Sequence, residues 1–299
     1  MGLSTFSIVA YDRDNGDLGV GVQSKFIAVG AVVPWAKSKV GAVATQASAN
    51  VSYGPRALEM LQSGLTAAEV LDRLLVEDEH NQVRQVAIVD SKGNVAAHTG
   101  TNCMHWAGHV IGDGYSCQGN ILAGKGVVES MAQAYERTKG DLIDKLLAGL
   151  MAGQKAGGDR RGQQSAALLI VREGGGYEGF TDRYVDLRVD DSPHPIEELK
   201  RITDVYDMTM LSREDAANLV PIAGSVARSV QRDLKALKFY NGSVTGVYDA
   251  ATKKALYNFI SVNNFENRMH QDGLIWRSIL KYMDESVKTR KRKRTVHQR

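Results

Sequence analysis

The sequence predicts an α+β protein: a four-layer αββα sandwich of two antiparallel sheets, followed by a small all-α domain. Two observations carry this prediction. Helical segments arrive in pairs between strand hairpins, whereas a parallel doubly wound sheet alternates single strands with single helices. Sheet-like segments stop near residue 205, and the pattern beyond them is typical of amphipathic helices. We therefore predict a sandwich domain over residues 1–205, a helical domain over 206–287 and a tail over 288–299.

The strands and helices of the first domain follow from local patterns. TFSIVAYD and LGVGVQSKF flank the turn residues of DRDNGD and form a hairpin. AVGAVVPWA and KVGAVATQA are typical of two further strands. Pro55 opens a helix and Gly64 ends it, and Thr66 with Glu69 forms a capping box for the next one. The remaining elements are a hairpin around residues 91–93, helices over 124–138 and 141–154, and the strands SAALLIVRE and RYVDLRV.

Composition and charge limit the classes of function that the sequence predicts. The chain has 299 residues, 43% hydrophobic and 24% charged, with a formal net charge of +3. Much of the basic excess lies in VKTRKRKRTVHQR, so we predict that residues 288–299 are solvated and disordered. The body of the protein is then close to neutral, which argues against a dedicated nucleic-acid binder and leaves an anionic partner open for the tail alone.

Neither the cysteines nor the histidines predict a metal site. Cys103 and Cys117 are the two cysteines and form no CxxC pair. The histidines are scattered without metal-ligand spacing. A basic segment followed by a long apolar stretch is not found at the amino terminus, and no apolar run is long enough to span a bilayer. We expect a cytoplasmic protein that needs no cofactor and contacts no membrane.

Thr5 is the candidate nucleophile. A threonine that begins a strand is ordinarily a structural residue, but a threonine with a free α-amine can be a nucleophile and its own base. The ordinary pKa of an α-amine is about 7.7–8.0, so a useful fraction is neutral at physiological pH. Because MGLS precedes Thr5, this chemistry requires cleavage of the Ser4–Thr5 bond or translation from a different start.

Long blocks of the first 200 residues carry a family resemblance. They are TFSIVAYD, GVGVQSKFIAVGAVVPWA, GAVATQASANVSYGPR, WAGHVIGDGYSCQGNILAG, AGGDRRGQQSAALLIVR and DRYVDLRVDD. This part resembles the prokaryotic domain-of-unknown-function family 1028, which is assigned to the N-terminal nucleophile (Ntn) hydrolase superfamily. The resemblance implies the sandwich fold and hydrolysis of a small-molecule amide by the hydroxyl of Thr5, without implying a particular substrate.

The predicted hairpin and the same resemblance suggest which residues assist Thr5. Lys25 follows the strand predicted to pair with Thr5, and a nearby ammonium lowers the pKa of a hydroxyl; Lys37 and Lys39 are alternatives. Asp159 and Ser165 are placed by the resemblance near the α-amine, in a loop leading into a central strand.

Substrate-binding residues are expected in three polar segments. Gln46, with Thr45 and Ala47, closes the fourth strand, and Asn50 follows it. Gln118 and Asn120 flank Gly119, a cluster suited to an amide or an oxyanion. Arg160 and Arg161 are suited to binding a substrate carboxylate, and an ion pair with Asp182 or Asp186 is their structural alternative.

The second domain resembles the peptidoglycan-binding-like helical domain. The matching segment is SVQRDLKALKFYNGSVTGVYDAATKKALYNFISVNN, two helices around a tight NGSVTGVYD loop. This resemblance implies a peptidoglycan-derived ligand, or a docking role in a homo-oligomer. The alternative for the whole chain is a non-catalytic binding or scaffold protein in which the Thr5 amine is never uncovered.

Overall fold

The computed structural model of the protein describes residues 5–211, 213–270 and 272–296. Contacts divide the chain into two compact units, the first ending at Ile202 and the second beginning at Thr203. The first unit is a mixed α/β structure with antiparallel sheets, as predicted. No helix in the described ranges combines the length and the apolar character needed to cross a bilayer.

Strands and helices of the first unit follow one another in groups. The strands are β1 (Thr5–Tyr11), β2 (Leu18–Ser24), β3 (Pro34–Lys37), β4 (Gly41–Ala47), β5 (Arg84–Asp90), β6 (Val95–Thr99), β7 (Gly108–Gly112), β8 (Tyr115–Asn120), β9 (Ser165–Val171) and β10 (Arg183–Val189). The helices are α1 (Tyr53–Gln62), α2 (Ala67–Val76), α3 (Gly126–Arg137), α4 (Leu142–Lys155) and α5 (Pro195–Met210), the last of which contains the boundary between the units.

Two antiparallel sheets form from these strands. The six-stranded sheet has the order β10-β9-β2-β1-β8-β7, so β1 lies in its middle between β2 and β8. The four-stranded sheet has the order β3-β4-β5-β6. The hairpins β1–β2 and β5–β6 were both predicted from their turn residues.

Each sheet has one face covered by helices and one face turned to the other sheet. Helices α1 and α2 cover the four-stranded sheet, with Tyr53 and Leu74 in the shared core. Helix α4 covers the six-stranded sheet so closely that a Cβ on Gly149 would lie 2.2 Å from Ile8. A separate apolar cluster that includes Val20 and Ala44 joins the two sheets.

One local prediction was wrong, and one hairpin was missed. AVGAVVPWA is not one strand: Ala28 adopts a left-handed conformation (φ 51°), Val29–Ala31 form a short 3₁₀ turn, and β3 starts only at Pro34. Proline is tolerated there because β3 is an edge strand. The hairpin β7–β8 was missed, because the glycines and polar residues of GHVIGDGYSCQGN resemble loop composition.

The second unit is mainly helical. Its elements after α5 are β11 (Leu219–Pro221), α6 (Gly224–Ala236), α7 (Ala250–Val262), β12 (Leu274–Trp276) and α8 (Arg277–Val296). Helices α6 and α7 flank the NGSVTGVYD loop, as predicted. The all-α prediction missed the pairing of β11 with β12, because three residues are too short to show a strand period.

The basic segment predicted to be disordered is helical as far as Val296, within α8. It contains neither glycine nor proline, and lysine and arginine are good helix formers. Residues 297–299 of the predicted tail lie outside the described residues.

Candidate active site

The facing surfaces of the two sheets change from apolar to polar along the strands. On β1, Val9 belongs to the apolar cluster between the sheets, and Ser7 and Thr5 continue the same face at a period of two. On β4, Ala42 and Ala44 continue in the same way to Gln46. All the polar members are buried. The sequence thus builds a polar end into the sheet interface, at the start of β1.

Thr5 lies in a row of four polar residues that crosses the six-stranded sheet. Its register partners are Asn120 on β8 and Ser24 on β2, and Ser24 in turn pairs with Ser165 on β9. The Thr5 hydroxyl donates to Ser24 Oγ at 3.2 Å. Directly paired residues in a sheet present their side chains on the same face, so the strand register gathers these four side chains on the surface between the sheets.

Gln85 on β5 links this row to the four-stranded sheet. Its Oε1 accepts hydrogen bonds from Gln46 Nε2 at 2.8 Å and from Asn120 Nδ2 at 3.0 Å. Its Nε2 donates to the carbonyl oxygen of Gly119 at 2.8 Å. Gln46 Nε2 also lies 3.4 Å from the carbonyl oxygen of Thr5. Gln85 therefore holds two of the predicted substrate-binding amides beside Thr5.

A second hydrogen-bonded path runs through Ser7. Its hydroxyl donates to Gln46 Oε1 at 2.7 Å and accepts from Gln118 Nε2 at 2.7 Å. Gln118 Oε1 accepts in turn from Ser116 Oγ at 2.8 Å. The amide of Gln118 is thus hydrogen bonded within the network. Through Ser7, this path orients the Oε1 end of Gln46, whereas Gln85 binds its Nε2 end.

Lys25 and Asp159 meet at the end of the Thr5 row, although not through the lysine ammonium. The backbone N–H of Lys25 donates to Asp159 Oδ2 at 2.9 Å. Lys25 is exposed, and its Nζ donates to the carbonyl oxygen of Gln163 at 3.3 Å. Asp159 is almost fully buried, so its carboxylate fixes the chain that follows Ser24.

Ser165 holds the turn between β2 and β3. Its hydroxyl donates to the carbonyl oxygen of Phe26 and accepts from the backbone N–H of Val29 at 3.0 Å. Together with Asp159, it supports the loop on one side of the row.

The remaining predicted residues lie at other places. Arg161 pairs with Asp159 at 3.2 Å. Asp182 accepts from the backbone N–H of Ser38, and Asp186 pairs with Arg183 and Arg188. Arg160 is exposed. The ion pair of Arg161 with Asp159 joins two of the predicted site residues.

Asn50 is not brought to Thr5. Its carbonyl oxygen accepts from Thr45 Oγ1 at 3.1 Å, and its Nδ2 lies 3.3 Å from Asp78 Oδ2. Thr45 lies on the helix-covered face of β4, opposite to Gln46, and its backbone N–H donates to Val33. Lys37 and Lys39 contact Gln62 and Glu173 instead.

Sequence reasoning missed three buried residues of the site: Ser7, Ser24 and Gln85. A signal for part of the network was present, because Ser116, Gln118 and Asn120 alternate at a period of two, which is typical of one face of a strand rather than of a turn. Gln85 offered no such signal, since a single glutamine at a strand start is ordinary.

A histidine ring reaches this network through Thr99. His109 Nδ1 lies 2.9 Å from Thr99 Oγ1, and Thr99 Oγ1 accepts from Gln85 Nε2 at 3.0 Å. Burial, and secondarily His98, lower the pKa of His109. Within the described ranges, no group of three histidine, cysteine or acidic side chains is arranged to hold a metal ion.

The second unit contains a pocket of about 290 Å³ between α7 and β12. Tyr248 and Tyr257 line it, whereas Tyr240 belongs to the core of the second unit. The full lining is Tyr248, Lys253, Leu256, Tyr257, Ile260, Arg268, Met269, His270, Leu274 and Ile275.

Comparisons with known proteins agree with both resemblances at the level of the family. Residues 5–199 match the model described as "Family of unknown function (DUF1028)", and residues 209–283 match the one described as "Putative peptidoglycan binding domain". No curated protein matches the chain.

The comparison with solved structures includes the following two. Protein SPO2555 from Silicibacter pomeroyi, a structure described with the name DUF1028, is 27% identical, with a TM-score of 0.63 over 70% of this chain and 91% of that one. Anbu (ancestral beta-subunit) from Yersinia bercovieri is 9% identical, with a TM-score of 0.31 over 71% of this chain and 98% of that one. Because the first family match spans well over half of the residues, the chain belongs to the family of unknown function DUF1028.

Proposed function

We propose that the first unit is an N-terminal nucleophile amidohydrolase that cleaves a small amide with the hydroxyl of Thr5. One observation carries the proposal: Thr5 begins the middle strand of the six-stranded sheet, and its hydroxyl lies in a buried row between Asn120 and Ser24. The two sheets with their helix pairs support the four-layer αββα arrangement that such an enzyme uses.

The surroundings of Thr5 favour its own amine as the base. Among the residues that the structure describes, the side chains of Ser24, Asn120 and Gln46 contact Thr5 or pair with it, and these are a hydroxyl and two amides, which do not accept a proton at neutral pH. A free α-amine does, because its pKa lies near neutrality. Cleavage of the Ser4–Thr5 bond would create that amine.

The reaction then proceeds in two steps. Thr5 Oγ forms a bond to the amide carbonyl carbon while its proton passes to the α-amine; the C–N bond breaks, and the amine product leaves with that proton. Water then attacks the resulting ester, releases the carboxylic acid and restores the hydroxyl. We assign stabilisation of the oxyanion to the Asn120 amide, which pairs in register with Thr5 and donates a hydrogen bond to Gln85.

The first test is the mass of the amino terminus. The purified full chain and a chain expressed with methionine directly before Thr5 are compared by intact mass and by hydrolysis of an amide library. We expect turnover only from chains whose first residue is Thr5. The change Thr5→Ala should abolish turnover with an unchanged melting temperature, whereas Thr5→Ser should retain some. Hydrolysis by a chain that keeps residues 1–4, or by Thr5→Ala, would show that another group is the nucleophile.

For the second unit we propose binding of a peptidoglycan-derived fragment in the pocket between α7 and β12. Aromatic side chains combine apolar contact with a polar tip, and Tyr257, about half exposed, lies there with Lys253 and His270. Titration with soluble muropeptides should give a saturable heat signal that Tyr257→Ala removes. Val262→Ala, an exposed change on the same helix, should leave the signal intact. No signal from the unaltered chain would leave a docking or scaffold role for this unit.

A further inference from the structure

A pocket of about 180 Å³ adjoins the Thr5 row. Asn120, the register partner of Thr5, forms part of its wall. Ala47, on another wall, directly follows Gln46, whose Nε2 lies 3.4 Å from the Thr5 carbonyl oxygen. The other lining residues are Ser48, Val83, Asn102, Cys103 and Met104.

The loop after β6 forms the outer wall of this pocket. The carbonyl oxygen of Met104 accepts from the backbone N–H of Ile121, directly after β8. The backbone N–H of Asn102 donates to the carbonyl oxygen of Gln82. These two contacts attach the loop both to the six-stranded sheet and to the segment before β5, so the outer wall is fixed to both sides of the sheet interface.

No charged side chain lines the pocket among the residues that the structure describes there. A guanidinium does contact the backbone of one lining residue: Arg84 Nη1 donates to the carbonyl oxygen of Ser48 at 2.6 Å. That guanidinium is compensated by Asp78, at 2.9 Å from its Nε. A ligand that entered with its own charge would lose hydration without gaining an opposite charge, which is unfavourable.

The polar groups of the lining are neutral and few. They include the hydroxyl of Ser48 and the amides of Asn102 and Asn120, next to the apolar surfaces of Ala47, Val83 and Met104. A site of this kind orients a ligand with a small number of hydrogen bonds and gains most of its affinity from apolar contact. A cavity of about 150 Å³ is large enough for benzene, so this pocket fits a group of about that size.

We propose that this pocket binds the substituent on one side of the scissile amide, and that this substituent is small, uncharged and partly apolar, about the size of a phenyl ring. The inference rests on the proposed role of Thr5, since it uses the pocket's place beside that residue. It predicts that the enzyme prefers neutral amides to amides that carry a carboxylate or an ammonium on that side.

Cys103 provides a direct readout of occupancy. Its thiol lies in the pocket wall and donates to the carbonyl oxygen of Arg84 at 3.3 Å. Cys117, the other free cysteine, is fully buried in β8. A small neutral thiol reagent such as methyl methanethiosulfonate should therefore modify Cys103 in the folded full chain and Cys117 only after unfolding, as peptide mass spectrometry would show.

The test measures the rate of Cys103 modification with two amides of similar shape present in turn. Benzamide should slow the modification by about threefold or more at saturation, whereas 4-carbamoylbenzoate, which adds a carboxylate, should not. Thr5→Ala should give the same protection, because binding does not need the nucleophile. Equal protection by both amides, or protection by neither, would overturn the proposal.

A charge placed at the pocket mouth gives the matched comparison. Asn102→Asp changes one amide to a carboxylate of the same shape, and Asn15→Asp makes the same change in the turn between β1 and β2, at the opposite end of β1. Only Asn102→Asp should make 4-(aminomethyl)benzamide slow the modification of Cys103 more than benzamide does, by about threefold. An equal effect of both variants, or no transfer by either, would contradict the assignment.

The outcomes separate this inference from the proposed function. If benzamide protects Cys103 but a chain that begins at Thr5 does not hydrolyse amides, the binding role of the pocket stands and the proposed enzymatic function is rejected. If the chain hydrolyses amides but benzamide does not protect Cys103, or neutral amides are not preferred, the enzymatic function stands and the binding role of the pocket is rejected.

Discussion

Gln46 Nε2 lies 2.8 Å from Gln85 Oε1, so two side-chain amides from neighbouring strands are hydrogen bonded to each other in the buried space between the sheets. Gln85 Oε1 accepts a second hydrogen bond from Asn120, which belongs to the other sheet. Since buried amides are costly when unpaired, this arrangement fixes both the side-chain orientations and the spacing of the sheets beside Thr5.

Removal of the Gln85 side chain should destabilise the first unit. Gln85→Ala leaves Gln46, Asn120 and the Gly119 carbonyl without a shared partner, and we expect a loss of about 3 kcal/mol in the free energy of unfolding. Urea denaturation measures it. Gln133→Ala, on the exposed surface of α3, is the control and should change stability by about 0.5 kcal/mol or less. Similar losses in both variants would show that the network does not stabilise the fold.

Asp159 and Lys25 should differ in their effects on activity. Asp159 binds the backbone N–H of Lys25, so Lys25→Ala keeps this hydrogen bond and Asp159→Asn weakens it by removing the charge. For a chain that begins at Thr5, we expect Asp159→Asn to lower kcat by about tenfold, and Lys25→Ala by about twofold or less. A larger loss in Lys25→Ala would mean that the ammonium takes part in the reaction.

Asp78 should make stability depend on pH. The hydrogen bond from Arg84 lowers the pKa of Asp78, burial opposes this, and hydrogen bonds from His80, Tyr53 and Asn50 lower the pKa further. Since the folded pKa lies below the unfolded value of about 3.9, the stabilisation is present above that value and is lost as the pH falls from it through the folded pKa.

The variant Asp78→Asn tests this dependence. It should cost about 2 kcal/mol near neutral pH, and the difference should shrink as the pH falls below about 3.9, because the unfolded chain then takes up a proton that the native carboxylate does not. Asp72→Asn, exposed on α2, should show neither effect. A cost that stays constant from neutral to acidic pH would rule out the charge as its cause.

Arg172 should not be replaceable by lysine. Its Nε and Nη2 each lie 2.7 Å from an oxygen of buried Asp17, and its guanidinium stacks 3.8 Å from the centre of the Tyr184 ring. Lysine can reproduce neither the paired hydrogen bonds nor the stacking. We expect Arg172→Lys to cost about 2 kcal/mol of unfolding free energy, against about 0.5 kcal/mol or less for Arg137→Lys on the exposed side of α3. Equal costs would contradict a specific role for this geometry.

The elements that local chemistry dictates could be predicted from the sequence. The capping box of Thr66 and Glu69 starts α2 with both of its hydrogen bonds, and turn residues mark the hairpins β1–β2 and β5–β6. Both families could also be recognised from the sequence, because long blocks of residues match them. The hairpin β7–β8 was not recognised, since its glycines outweighed the alternation of its polar residues.

By itself the sequence determined the paired helices, the antiparallel hairpins and a threonine at the start of the first strand, because these depend on residues close together in the chain. Only the tertiary structure decided that Asn120, Thr5, Ser24 and Ser165 form one row and that Gln85 reaches them from the other sheet. The reason is physical: strand register and the facing of two sheets are set by packing between residues far apart in the chain, which no local pattern records.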